Sequence, residues 1–257
     1  MMSRQAIGTA LAILLVCGEA WASPATFTWD PAQATPPVPG TAFTADAIQT
    51  TDFLFNSGDA AGNGTDYFIL QINGFSRNGV AVPVAGLNSS YGLYIDLTVA
   101  TVGSGYGAGT VALRLDPTNN DGTPSATWNA ATQTGGVSFA NPANTADDVT
   151  LATGNFLSGA FGPQSNGRVG AQFVEGFVPN PAESGFFAGT NGIPSNIDEM
   201  LFNTPTSRVQ GPNNIGGLYT VVNDGFGTVT LQPVPEPTSI AVLGAGLLGL
   251  LALSRRW

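Results

Sequence analysis

Between residues 91 and 116 the chain alternates apolar and polar positions with a period of two. Tyr91, Leu93, Ile95, Leu97 and Val99 share one phase, and Gly92, Asp96 and Thr98 occupy the other. Residues 110–116 repeat the pattern, with Val111, Leu113 and Leu115 on one side and Arg114 on the other. Such alternation turns one face of a strand to a core and the other to water. A glycine-rich connection at residues 103–109 lies between the two runs, so they predict an antiparallel pair. One or two further strands are expected in residues 43–55. Another is expected at 67–72, ending near Asn73-Gly74, a hairpin-type turn signal. Residues 148–153, 171–178, 200–203, 218–222 and 227–231 also read as strands, and 56–65 and 116–122 as loops.

No apolar stretch of the body keeps helical spacing. Many short strands separated by Gly, Pro and Asn turns argue for a sandwich or barrel. The expectation is an all-β fold: a single antiparallel β-sandwich-like domain over residues 23–233. An [Asp/Asn]-Pro-Ala triplet recurs at Asp30, Asn141 and Asn180 at unequal intervals, which marks turn initiators rather than a solenoid repeat. Residues 23–40 are proline-rich and extended, with Phe27 and Trp29 as candidate anchors.

The two ends follow other rules. Residues 1–22 read as an export signal: Arg4 supplies the positive start, residues 6–16 the apolar region, and Ala20-Trp21-Ala22 the small-x-small pattern, with Ser23 as the first mature residue. A lipoprotein signal ending at Cys17 is the weaker alternative, because Val16 stands where a small residue is needed. At the other end, residues 234–257 have three parts. Val234-Pro235-Glu236-Pro237 comes first, and its two prolines fix an extended segment. The uncharged, proline-free run 240–253 follows, able to form a helix that satisfies its own backbone in lipid. Arg255 and Arg256 close it on the side the positive-inside rule makes cytoplasmic. The run is short for a full span, and its strongly apolar residues favour insertion by only about −4 kcal/mol in all. A core helix or strand is the competing reading.

Taken together, the Pro-Glu-Pro motif, the apolar run and the arginine end resemble the PEP-CTERM sorting signal of Gram-negative bacteria. The resemblance implies processing by an exosortase, a membrane enzyme that reads such tails. It further implies transient anchoring in the inner membrane and export to an exopolysaccharide-rich surface or matrix. Gly86-Leu87-Asn88 leading into Tyr91-Gly92-Leu93-Tyr94, together with residues 137–154, resembles the flocculation-associated group of these proteins. That likeness implies a protein needed for cells to aggregate within their exopolysaccharide.

Composition narrows the chemistry. With seven arginines against seventeen acids the net charge is −10. Such a chain is repelled by phosphate backbones, so no nucleic-acid partner is expected. Lysine and histidine are absent and Cys17 is the single cysteine. That removes Ser-His-Asp triads, Schiff bases, zinc–thiolate sites and disulfides from the body. An enzyme built on this chain would have to use carboxylates, as a glycosidase does. Asp147-Asp148, Glu175, Glu183 and Asp198-Glu199 are the candidates. Neighbours on a strand point to opposite faces, so Asp147 and Asp148 read as poor partners, and the acids as solvated surface charge. No enzyme and no cofactor are expected. Structural calcium is left open, although residues 116–122 miss the EF-hand spacing and 62–66 carry only half of one β-roll repeat. The expectation is thus an exported, non-enzymatic exopolysaccharide-matrix protein promoting floc or biofilm formation. The alternative is a carbohydrate-binding module, with Trp128 as the candidate stacking residue, although a core or interface role is the stronger reading for it.

Overall fold

The computed structural model describes residues 26–103, 105–163, 169–187, 196–200 and 209–232. In chain order the strands are β1 (Phe27–Trp29), β2 (Phe43–Ala45), β3 (Ala47–Gly58), β4 (Gly64–Arg77), β5 (Val80–Val82), β6 (Gly92–Val102) and β7 (Gly105–Asp116). They continue as β8 (Pro124–Asn129), β9 (Thr134–Phe139), β10 (Val149–Pro163), β11 (Val169–Pro179), β12 (Asn196–Met200), β13 (Val209–Pro212) and β14 (Leu218–Gln232). Every ladder between them is antiparallel. Three short 3-10 turns, at Pro31–Gln33, Asn144–Asp147 and Pro181–Glu183, are the helical elements among the described residues.

Hydrogen bonding runs β12-β11-β10-β7-β6-β4-β3-β14, and β12 also pairs with β14. The sheet therefore returns on itself as a ring of eight strands, with β5 and β13 added to the edges of β4 and β14. An eight-stranded ring has an interior just wide enough for side chains to fill. The predicted alternation supplies the filling. Leu93, Ile95 and Leu97 lie opposite Leu115, Leu113 and Val111. With Ile48, Leu54, Phe68, Leu70, Ile72, Leu151, Val222 and Val229 they form one buried cluster. The pair expected from residues 91–99 and 110–116 is the centre of the structure.

One end of the ring is closed by aromatics. The β1–β2 hairpin places Trp29 among the rings of Phe27, Phe43, Phe75, Phe186 and Phe187, with centroids 4.9–6.4 Å away. Phe27 and Trp29 are fully buried, so the anchors read from the proline-rich segment are core residues. Two of the Pro-Ala triplets behave as turn starters: Asp30 and Asn180 each accept a bond from the backbone N–H two residues on.

Several boundaries differ from expectation for identifiable reasons. Asn73-Gly74 does not turn the chain. β4 continues through it with a bulge, where Ile72 faces Thr50 and Gly74 faces Gln49. The turn falls at Asn78-Gly79, both with positive φ (50° and 75°), which suits a hairpin joining β4 to β5. Residues 105–109 are strand rather than connection. Gly109 sits inside the ring, where a Cβ would lie 2.9 Å from Val99 Cβ and 3.0 Å from Phe156 Cβ. The strands expected at 218–222 and 227–231 are one strand, β14, bulged between Val222 and Gly225. β8 and β9 were not expected. Their sequence is Thr-, Gly- and Ser-rich, and what buries them is the ring's outer face, where Phe55, Ala126 and Val221 cluster with Trp128, Val137 and Tyr219. β12 ends at Met200, and the rest of the strand expected at 200–203 lies outside the described residues.

Candidate functional site

The end of the ring opposite the aromatic plug is polar. Alternation along β3 and β4 that is apolar at Leu54 and Phe68 becomes Asn56 and Asp66 one step further on the same inner face, and these two residues are ladder partners. Tyr106 of β7 enters the same end, facing Thr101 of β6. Asp66 is buried. Asn56 Nδ2 donates to its Oδ1, and the Tyr106 hydroxyl donates to its Oδ2 at 3.0 Å. Burial pushes the Asp66 carboxyl up to about 6 against the pull of those two bonds, and it pushes the Tyr106 phenol up as well.

Above this floor opens a cleft of about 370 Å³, lined by Asn56, Asp59, Thr101, Tyr106, Gln210, Leu218, Thr220 and several glycines. Three hairpin turns form its rim. Asp59 Oδ1 accepts from the N–H groups of Ala61 and Asn63 at 2.9 and 2.8 Å, and these bonds hold its exposed carboxyl below the usual range. Asn63 Oδ1 accepts from Gly103 N, which joins the β3–β4 turn to the β6–β7 turn. Asn213 Nδ2 donates to Ser57 Oγ and Gly58 O, which joins the β13–β14 turn to the end of β3. The turn at residues 59–63 is thus held by turn chemistry, as expected, while residues 64–66 belong to β4. The cleft offers amide, hydroxyl and carboxylate groups beside apolar surface from Ala60 and Leu218.

The glycosidase candidates are dispersed. Glu183 is buried beside the plug, where its Oε2 accepts from Thr35 N at 2.9 Å. It is a bolt between loops and not surface charge. Glu175 belongs to β11, and Asp198 and Glu199 to β12. Asp147 ends a 3-10 turn and Asp148 follows it before β10 starts, so strand alternation does not separate them. Their carboxylates instead gather with those of Asp116 and Asp121, all within 4.8 Å of one another. This corrects the reading of the two as poor partners. Sequence reasoning missed the grouping because its members come from two loops far apart in the chain. It also missed Asp52, fully buried on the inner face of β3. Its signal was available: Asp52 stands in the apolar phase of Ile48 and Leu54.

Trp128 is half-buried, stacked on Tyr219 (4.6 Å, 15°) and on Phe55 (5.9 Å, 21°). It pins the β8–β9 hairpin to the ring, the core or interface role that is the stronger reading for it. The residues singled out at the ends lie outside the described residues. They are Ala20, Ala22 and Ser23 at the expected cleavage point, Val234, Pro235, Glu236 and Pro237 of the motif, and Arg255 and Arg256. Among the described residues no helix is long and apolar enough to cross a membrane.

Known proteins bear on the end of the chain. The family model described as the PEP-CTERM protein-sorting motif matches residues 233–256. No curated protein and no solved structure matches the chain. The match takes in the Pro-Glu-Pro motif, the apolar run and both terminal arginines, the same three parts singled out from the sequence. A motif of this kind implies export, transient membrane anchoring and recognition by exosortase-type processing. The chain carries a PEP-CTERM protein-sorting motif after an antiparallel β body, and a motif of that kind implies a secreted protein sorted by exosortase.

Proposed function

We propose that this protein is a non-enzymatic component of an exopolysaccharide matrix, released there after its tail is processed, where it promotes floc or biofilm cohesion. The observation that carries the reading is the sorting motif at residues 233–256 following an all-β body. Such a tail delivers cargo to the outside of the cell, and a body with neither lysine nor histidine has little equipment for covalent catalysis. Asp66, beneath the cleft, has both oxygens engaged, by Asn56 and Tyr106, which favours holding a ligand over hydrolysing it. Residues 1–22 are read as the export signal that starts this route.

The cleft favours a second reading, a carbohydrate-binding module for one defined polysaccharide. Its lining of Asn56, Thr101, Gln210 and Thr220 matches the hydroxyl pattern of a glycan better than that of a charged or apolar ligand. One experiment addresses both readings: titration of the purified protein with polysaccharide extracted from the cells that make it. Association of any kind supports the matrix role. A saturable isotherm, weakened about tenfold by Gln210→Ala and unchanged by the surface change Val178→Thr, assigns it to the cleft. A tenfold loss corresponds to about 1.4 kcal/mol, the order of one or two hydrogen bonds. No association with the extracted polysaccharide would refute both, and release of glycan fragments would make the protein an enzyme.

A further inference from the structure

We propose that Asp116, Asp121, Asp147 and Asp148 bind one calcium ion, which clamps the neck of the excursion carrying β8 and β9. Leu115 and Val149 are ladder partners on β7 and β10, so the chain leaves the ring at Asp116 and returns to it at Asp148. Everything between, including the hairpin that covers Phe55 and Tyr94, hangs from these two points. Four carboxylates converge there, with oxygens all within 4.8 Å of one another. Oxygens on a sphere of calcium radius, 2.3–2.6 Å, lie at most about 5 Å apart, and the four here fall within that limit. Magnesium, at 2.0–2.1 Å, would need them drawn in to about 4 Å.

The cluster is more than a collection of acids. Asp121 is 2% exposed, and both of its oxygens are buried without a hydrogen-bond donor among the described residues. The Oδ1 of Asp148 is in the same state. Four of the other five oxygens are held in place. Asp116 Oδ1 accepts from Thr118 N at 3.0 Å, and its Oδ2 from Asp121 N at 3.2 Å. Asp147 Oδ2 accepts from Thr118 Oγ1 at 3.2 Å, and Asp148 Oδ2 from the Tyr94 hydroxyl. Each bond orients a carboxylate and leaves acceptor capacity facing its neighbours. The nearby guanidinium of Arg114 is engaged by Asp96 and Thr150 and does not bond the four. Buried like charges without a counter-ion destabilise a fold, and a hard divalent cation among oxygen ligands removes that penalty. The ligands come from two loops and fit no contiguous loop motif, so no spacing rule would find them.

The test is thermal unfolding of the full chain, stripped with chelator, at neutral pH with calcium chloride, magnesium chloride or chelator present. Extracellular calcium sites bind at about 0.1–1 mM. About 5 mM calcium is therefore expected to raise Tm by roughly 3 °C or more, and magnesium to have little effect. Asp121→Asn is isosteric and relieves repulsion. It is expected to raise the Tm in chelator and to abolish the calcium-dependent rise. Asp147→Asn, at an exposed position, is the second variant, expected to shift the calcium titration to several-fold higher concentration. No calcium-dependent rise in the parent would overturn the proposal. So would an equal rise with magnesium, or a rise that survives unchanged in both variants.

Discussion

Trp29→Ala is expected to lower unfolding free energy by about 3–5 kcal/mol, the range for deleting a large buried aromatic. Trp29 is fully buried and touches five phenylalanine rings drawn from four parts of the chain: β1, β2, β4 and the loop after β11. Those parts meet largely through ring packing, Phe43 also lying 4.6 Å from Phe75. β1 and β2 pair only with each other over three residues, and the Asp30 N–H bond to Phe186 O is one of the few backbone links to the later loop. Removing the indole opens a cavity where several elements meet, and the surrounding rings cannot all collapse into it. For a domain with total stability of about 5–15 kcal/mol this is a large fraction. The check is a urea titration, with the midpoint falling in proportion and the slope nearly unchanged. A midpoint within experimental error of the parent would mean that the plug does not contribute to folding.

The second large effect concerns pH. Asp52 lies inside the ring with Leu54 and Leu70, and its carboxyl is pushed up to about 7 by burial, opposed by a bond from Thr50 Oγ1 at 2.5 Å. Its Oδ2 has no donor among the described residues. Space for it comes from the partner strand: a Cβ at Gly227 would fall 2.9 Å from Oδ2. The folded protein therefore keeps a proton that the unfolded chain gives up near pH 4. The stability associated with that proton is complete below the ordinary carboxylate pKa and is lost as pH rises through about 7. The shift corresponds to about 4 kcal/mol. Asp66, pushed up to about 6, slopes the same way. Asp52→Asn removes the Asp52 part. The stability difference between variant and parent is expected to grow in the variant's favour by about 4 kcal/mol between pH 4 and pH 8, measured by urea unfolding in chelator. Parallel pH profiles would contradict this.

What the sequence disclosed follows from how local each determinant is. The inner faces of β6 and β7 could be read because alternation is local and their partner is the adjacent strand. The closure of the ring could not, because it depends on β12 meeting both β11 and β14, and a pairing partner distant in the chain leaves no mark on periodicity. β8 and β9 escaped for a related reason. Ala126 and Trp128 are buried by Val221, Phe55 and Tyr219 of other strands, not by their own alternation. The cleft was hidden because its polar floor, Asn56 and Asp66, looked like the start of a loop. In the structure those residues continue strands whose inner face turns from apolar to polar. The four aspartates come together only where β7 ends and β10 begins, and residues 116–122 alone read correctly as a turn. The sorting motif was legible without any structure, since its three parts are contiguous and each has a direct physical meaning.

The account rests on residues 233–256 as the segment that decides where the body goes. The most direct measurement compares cells producing the full chain with cells producing a chain stopped after Gln232, and quantifies the protein in the cell-bound matrix fraction. The account predicts that the shortened chain is lost from that fraction and that cells settle as dispersed suspensions rather than clumps. Equal amounts in the matrix, with unchanged clumping, would contradict it.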